Sequence, residues 1–264
     1  MRLVLLKKRI IGTVIIKNGW AVQSFGYNRY LPLGKPECVV ENLDRWGADE
    51  ILILSIDRSS NRLGPDFSLL EKLASLQLET PLIYGGGIST IEEGVKVIGL
   101  GADRICVDSL LHDNFNIVRK LSERLGRQAI IGVMPVMANN GIIKWLNYRN
   151  KSSLPLKDGM LDNYTKTVSE LLLIDFLNEG SKDGFNNKIL EDFIDVDLSL
   201  ILFGGLSDGP KIKKLLANKM VSAIAIGNFL NYKEHSIQNF KREYSRSNIR
   251  DSYYKERYSL LNDK

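Results

Sequence analysis

Eight short apolar runs alternate along this 264-residue chain with amphipathic stretches, and the second half of the alternation echoes the first. Those two observations predict an α/β protein, a closed (β/α)8 TIM barrel with duplicated half-barrels. A third supports it: the runs are apolar on both faces, as parallel strands covered by helices are. An open doubly wound sheet would also alternate this way, but it has no reason to repeat.

Taken in order, the strand runs are residues 9–16, 50–56, 81–84, 104–107, 129–134, 171–176, 198–203 and 223–226. Helical periodicity fills 37–46, 66–76, 91–98, 115–125, 163–169, 188–193 and 210–216. The first run, "RIIGTVII", ends in a turn signal at Asn18-Gly19. The third ends in Gly85-Gly86-Gly87 and the seventh in Gly204-Gly205. After the fifth, "ANNGIIKWLNYRNKSS" (138–153) breaks the rhythm and reads as a hairpin or flap on the strand-end face. The echo is local as well as global. "ADEILILSID" (48–57) matches "VSELLLIDFL" (168–177), and "PLIYGGGIS" (81–89) matches "SLILFGGLS" (199–207). "GADRICVDS" (101–109) matches "MVSAIAIGN" (220–228). Residues 1–240 are read as the barrel. Residues 241–264 are read as a basic, tyrosine-rich tail, in which Tyr253, Tyr254 and Tyr258 either pack on a partner or fray into solvent.

Composition narrows the function classes. With 44% hydrophobic and 25% charged residues, the chain has ample core for one large domain. The net charge of +5 is mild and lies largely in the tail, so no nucleic-acid partner is expected. Cys38 and Cys106 lack metal or redox spacing, which points to a reducing compartment. His112 and His235 stand far apart, so no metal is expected, and no cofactor motif is present. The apolar patch in "MRLVLLKKRII" is too short for a signal peptide, and no apolar run is long enough to span a bilayer. A cytoplasmic chain is the expectation.

Glycines after the third and seventh runs let backbone amides approach a ligand, and phosphate is the usual guest. A tight βα turn explains them equally well. Duplication favours phosphate, because two symmetric sites suit a substrate with a phosphate at each end.

Read together, "KRIIGTVIIKNGW", "GADEILIL", "PLIYGGGIS", "LGADRICVDS" and "GSKDGF" resemble the HisF-like family, the cyclase subunit of imidazole glycerol phosphate synthase. The resemblance spans about residues 7–230. It implies a barrel whose bottom binds a glutaminase (HisH-like) and passes ammonia to the upper face. There the ammonia reacts with a bis-phosphorylated ribulosyl aminoimidazole. It further implies acid–base aspartates at the ends of the first and fifth strands. This chain has Ile15 and Pro135 there, and Gln23 where the family has a lysine. Neither Ile nor Pro exchanges a proton, and each missing group costs roughly 10²–10⁴-fold in rate. Asp108 stands for a family asparagine at one phosphate site and Phe203 for a serine at the other. Gly86, Gly87, Ser109, Gly204, Gly205 and Asn228 remain as phosphate donors. Asp57 and Asp175, at or near strand ends, are the remaining catalytic candidates, unless they merely begin loops or cap helices.

Four strand starts carry charge: Arg9, Glu50, Arg104 and Glu170. Strand starts lie at the bottom of a barrel, so these four can form a salt-bridged plug. The resemblance makes them an ammonia gate and makes Asp103 a glutaminase contact. The leading expectation is a barrel that has lost cyclase chemistry, pairs with a glutaminase and relays ammonia. Its acceptor would be a sugar amidotransferase forming an acetamidino group in surface-polysaccharide biosynthesis. The alternatives are an active cyclase (a lyase) of histidine biosynthesis, and another sugar-phosphate-binding barrel enzyme, such as an isomerase.

Overall fold

The structure is a computed structural model. It describes residues 7–139, 142–147, 149, 152–156, 161–182, 184–207, 210–231 and 235–251. Tyr253, Tyr254 and Tyr258 lie outside these residues. In chain order the strands are β1 (Arg9–Lys17), β2 (Trp20–Phe25), β3 (Arg29–Gly34), β4 (Glu50–Ser55), β5 (Leu82–Gly85), β6 (Arg104–Val107), β7 (Ile130–Asn139), β8 (Ile142–Asn147), β9 (Ser152–Pro155), β10 (Glu170–Asp175), β11 (Ser199–Phe203) and β12 (Val221–Ile226). The helices are α1 (Pro36–Arg45), α2 (Phe67–Ala74), α3 (Ile91–Gly99), α4 (Ser109–Asp113), α5 (Phe115–Leu125), α6 (Asp162–Thr165), α7 (Pro210–Ala217) and α8 (Ser236–Glu243).

Strands β1, β4, β5, β6, β7, β10, β11 and β12 pair in parallel, and β12 returns to β1. This is the closed eight-stranded barrel that the alternation predicts. Strand period two divides the core into two. One set fills the shell between strands and helices, with Ile10, Val14, Ile53, Leu70 and Leu173 among its members. The other takes alternate positions from all eight strands and fills the lumen: Ile11, Leu52, Ile83, Cys106, Ile131, Leu172, Ile201 and Ala223 lie in it. Gly12 belongs to the shell side, where a Cβ would stand 2.9 Å from the Leu43 methyls of α1. Helix starts are set locally. Asp66 accepts the N–H of Leu69 at 3.1 Å to cap α2, and Thr90 with Glu93 forms a capping box on α3.

Three features differ from the sequence reading. After β1 the chain does not only turn: β2 and β3 form an antiparallel hairpin that leaves the barrel. Residues 163–169 give only the short α6, because Thr167 and Val168 already lead into β10. Residues 188–193 wind as a 3₁₀ segment, Asn187–Phe193. The excursion after β7 is a hairpin, with β8 antiparallel to β7 and β9 to β8. Residue 240, read as the end of the barrel, falls inside α8, and the chain remains packed beyond it. Lys241 is 2% exposed, and Ile249 bridges to Lys8 beside the start of β1.

Candidate functional site

The bottom of the barrel holds a closed ring of charge. Arg9 reaches Glu50 at 3.0 Å and Glu170 at 2.5 Å. Arg104 reaches the same two carboxylates at 3.3 Å and 2.7 Å. Each residue opens its strand, so strand register brings all four to one level. Their side chains are only 9–14% exposed. The ring has polar support that the sequence did not single out. Ser222 accepts from Arg9 at 3.1 Å and donates to Glu170, and Ser169 accepts from Arg104 at 2.8 Å. The two carboxylates are unequal. Burial lifts Glu50 above the ordinary range despite both arginines. Burial also opposes ionisation of Glu170, yet Arg9, Arg104 and the Ser222 hydrogen bond outweigh it and hold Glu170 below. Arg9 is pulled down by burial, but Glu170 and Glu50 prevail and raise it. Asp103, on the rim, is exposed and accepts the N–H of Leu82 at 2.8 Å.

Above the ring the lumen is apolar. Ile15 is 3% exposed and pairs across the sheets with Leu54 and Val22, while Pro135 lies opposite Ile174. No proton carrier stands at either place. Gln23 is buried within the β2–β3 hairpin.

That hairpin crosses the mouth and is pinned on its far side. Glu179 accepts the Ser24 hydroxyl and the Tyr27 N–H, each at 3.0 Å, and its carbonyl accepts the N–H of Gly26. Asn228 grips the Ser24 backbone twice: its amide donates to the carbonyl at 2.7 Å and its oxygen accepts the N–H at 3.2 Å. The Asn228 side chain, expected to face phosphate, is therefore engaged by the hairpin. Two cavities result, and no residue lines both. The larger, about 620 Å³, holds Gly86, Gly87, Ser109, Asp57 and Asp108 beneath Tyr27, Tyr30 and Phe176. The smaller, about 400 Å³, holds Gly204, Gly205, Lys182 and Phe203. The two glycine pairs thus line separate cavities on either side of the hairpin.

The glycines have a packing reason of their own. A Cβ on Gly86 would lie 2.5 Å from the Ser55 carbonyl oxygen, and one on Gly204 would lie 2.5 Å from that of Asp175. Gly87 and Gly205 are crowded by Gly64 and Phe185 backbone atoms, at 2.2 Å and 2.8 Å. All four have positive φ. The fold alone requires glycine at these positions.

Among the carboxylates, Asp57 lines the larger cavity and accepts the Asn18 N–H at 2.9 Å, latching the turn after β1. Asp175 lines neither cavity. It is 1% exposed and accepts from the Asn178 amide and the Asn186 N–H at 2.8 Å and 2.7 Å, so it organises the loop after β10. Burial raises it. Asp108 is the unusual group. Its Oδ1 is buried with no hydrogen-bond partner, and burial pushes the carboxyl up to about 8 despite Trp145 and Arg149 nearby. Beside it, Arg149 of the flap pairs with Asp113, which also meets His112 at 2.7 Å. Burial lowers His112. Burial thus disfavours the charged form of Asp108, at the position where the family resemblance calls for an asparagine.

Among the described residues no cluster of three or more His, Cys, Asp or Glu side chains could hold a metal ion. No helix among them is long and apolar enough to cross a membrane.

The profile of the histidine biosynthesis protein family matches residues 9–236. A Campylobacter jejuni protein provisionally named imidazole glycerol phosphate synthase subunit hisF2 is 31% identical over 226 residues, covering 83% of this chain and 89% of its own. The imidazole glycerol phosphate synthase subunit HisF of Natranaerobius thermophilus is 25% identical over 248 residues, 93% of this chain and 98% of its own. A Leptospira interrogans protein, also provisionally named as subunit HisF, is 25% identical over 234 residues, 87% and 92% of the two chains. With its closed barrel, its family profile and these relatives, the chain belongs to the histidine biosynthesis protein family, as a divergent HisF-like barrel subunit.

Proposed function

We propose that this barrel has lost the cyclase reaction and serves as the ammonia-relaying partner of a glutaminase. The observation that carries the reading is the contrast between the ring and Ile15 with Pro135. Four charges are closed across the bottom, while the proton-transfer positions above are apolar. A plug kept only for stability would not need charge, since apolar side chains close a lumen without desolvating ions. A ring of arginine–carboxylate pairs can part and re-form when a partner docks at the rim, where Asp103 lies exposed. The apolar lumen above suits neutral ammonia, whereas ammonium would pay a large desolvation penalty there.

Gly86, Gly87, Ser109, Gly204 and Gly205 remain available to a small anion in either cavity. The divided mouth disfavours the family's bis-phosphorylated substrate. The acceptor is then a separate enzyme, proposed as a sugar amidotransferase of surface-polysaccharide biosynthesis, in the cytoplasm. An active cyclase is the second reading, favoured by the family assignment alone.

The test supplies the purified chain with the bis-phosphorylated substrate and excess ammonium, then repeats the assay for Ile15→Asp/Pro135→Asp. No turnover is expected from either, because the second variant still has the divided mouth. Turnover by the unaltered chain within about tenfold of an ordinary cyclase would overturn the reading, because it requires acid–base groups that are not there.

A further inference from the structure

Beside the ring lies a second, more deeply buried ion pair. Lys241 of α8 and Asp49, the residue before β4, meet at 2.8 Å with side-chain exposures of 1% and 2%. Lys241 Nζ also donates to the Gly47 carbonyl at 2.9 Å. Asp49 Oδ2 accepts the N–H of Ile10 at 2.7 Å. Asp49 precedes Glu50, and Ile10 follows Arg9. One carboxylate therefore joins the starts of the two strands that supply half of the ring.

Asp49 is also a rival. It adds to Glu170 and Glu50 in the field that Arg9 feels. Were Asp49 stripped of its own cation, it would be a buried unpaired anion close to a guanidinium, and such an anion recruits the nearest positive charge. Arg9 would turn toward it, and Glu50 and Glu170 would each lose a partner.

We propose that Lys241 is a positioning residue for the ring: by neutralising Asp49 it leaves Arg9 to Glu50 and Glu170 and so holds the barrel bottom shut. The lysine belongs to the part of the chain that is zipped onto the start of β1. Lys8 donates its N–H to Asn248 at 2.8 Å, and Arg250 donates to the Lys8 carbonyl at 3.1 Å. Lys241 also reaches the Asp251 carbonyl at 3.4 Å. Anything that lifts this segment from the barrel removes the counter-charge of Asp49 and loosens the ring. The consequence for ammonia rests on the relay function proposed above; the effect on Arg9 does not.

The test uses the full chain without a partner and follows solvent exchange of the Arg9 and Arg104 guanidinium N–H groups by NMR. In Lys241→Met, exchange at Arg9 should quicken about tenfold, as expected when a charge-assisted hydrogen bond is lost, and change less at Arg104. In Asp49→Asn/Lys241→Met the rival is gone and Arg9 should return to its original rate. A lysine that merely fastens α8 predicts no such recovery. Unchanged Arg9 exchange in folded Lys241→Met, or no recovery in the double variant, overturns the proposal. If Lys241→Met does not fold, Lys241→Gln decides: it removes the charge while its amide can still donate to the Gly47 carbonyl, and unchanged Arg9 exchange in that variant overturns the idea. A second arm adds the glutaminase and the acceptor enzyme and compares glutamate released with nitrogen transferred. A loosened Arg9 with unaltered transfer would retain the positioning role and refute the relay. Falling transfer with Arg9 unmoved would do the reverse.

Discussion

At the lower end of the barrel four full charges share one closed ring, 9–14% exposed, with hydroxyls from Ser169 and Ser222 completing it. At the upper end Ile15 and Pro135 occupy the positions where the family resemblance calls for carboxylates, and a hairpin divides the mouth. Buried charge is expensive and apolar filling is cheap, so a closure that served stability alone would be built like the apolar lumen above it. The two ends of one barrel thus solve the same packing problem with opposite chemistry.

The largest effect should come from opening the ring. Glu170→Ala leaves both arginines short of a partner and should cost about 3–5 kcal/mol if the pairs act as fully buried. Urea unfolding measures it against Ile11→Val, a lumen truncation that should cost about 0.5–1.5 kcal/mol. Equal losses would place the ring on a level with its apolar neighbours and remove the contrast between the two ends.

A smaller loss is expected at the mouth. Glu179→Ala strips the partner from the Ser24 hydroxyl and the Tyr27 N–H, and should cost about 1–3 kcal/mol. Amide exchange at Gly26 and Tyr27 should rise while that of β4 and β10 is unchanged. A uniform rise across the barrel would mean that the hairpin belongs to the core and does not act as a separable cover.

The third effect is a pH slope. Asp108 titrates near pH 8 when folded and near 3.8 when unfolded. Between those values the unfolded chain has released the proton and the folded chain retains it. Stability therefore falls as pH rises through this window, by at most about 1.4 kcal/mol per unit from this group. Asp108→Asn should flatten the slope and be stabilising near pH 8, as read from unfolding midpoints at pH 5 and pH 8. An unchanged slope in the variant would show that Asp108 is ionised in the folded chain.

The barrel and its ring were legible in the sequence for one reason: both follow from strand register. Period-two apolarity locates the eight strands, and a charge at a strand start has only the bottom to face. The hairpin across the mouth was not legible, because Gln23 and Ser24 read as polar loop residues and Pro32 reads as a strand breaker. Its pins, Glu179 and Asn228, are far away in sequence, and only tertiary contact reveals what they hold. Ser222 was hidden for a similar reason, being one serine in an otherwise apolar run. The raised pKa of Asp108 depends on burial under Trp145 of the flap, which local pattern does not encode.

The glycine pairs carry a different lesson. Gly86 and Gly204 are pressed by the same carbonyl contact in each half-barrel, from Ser55 and from Asp175, at the same 2.5 Å. That contact exists whether or not an anion ever visits. These glycines therefore belong to the architecture first: any chain that closes its barrel with these two turns needs them, whatever sits above.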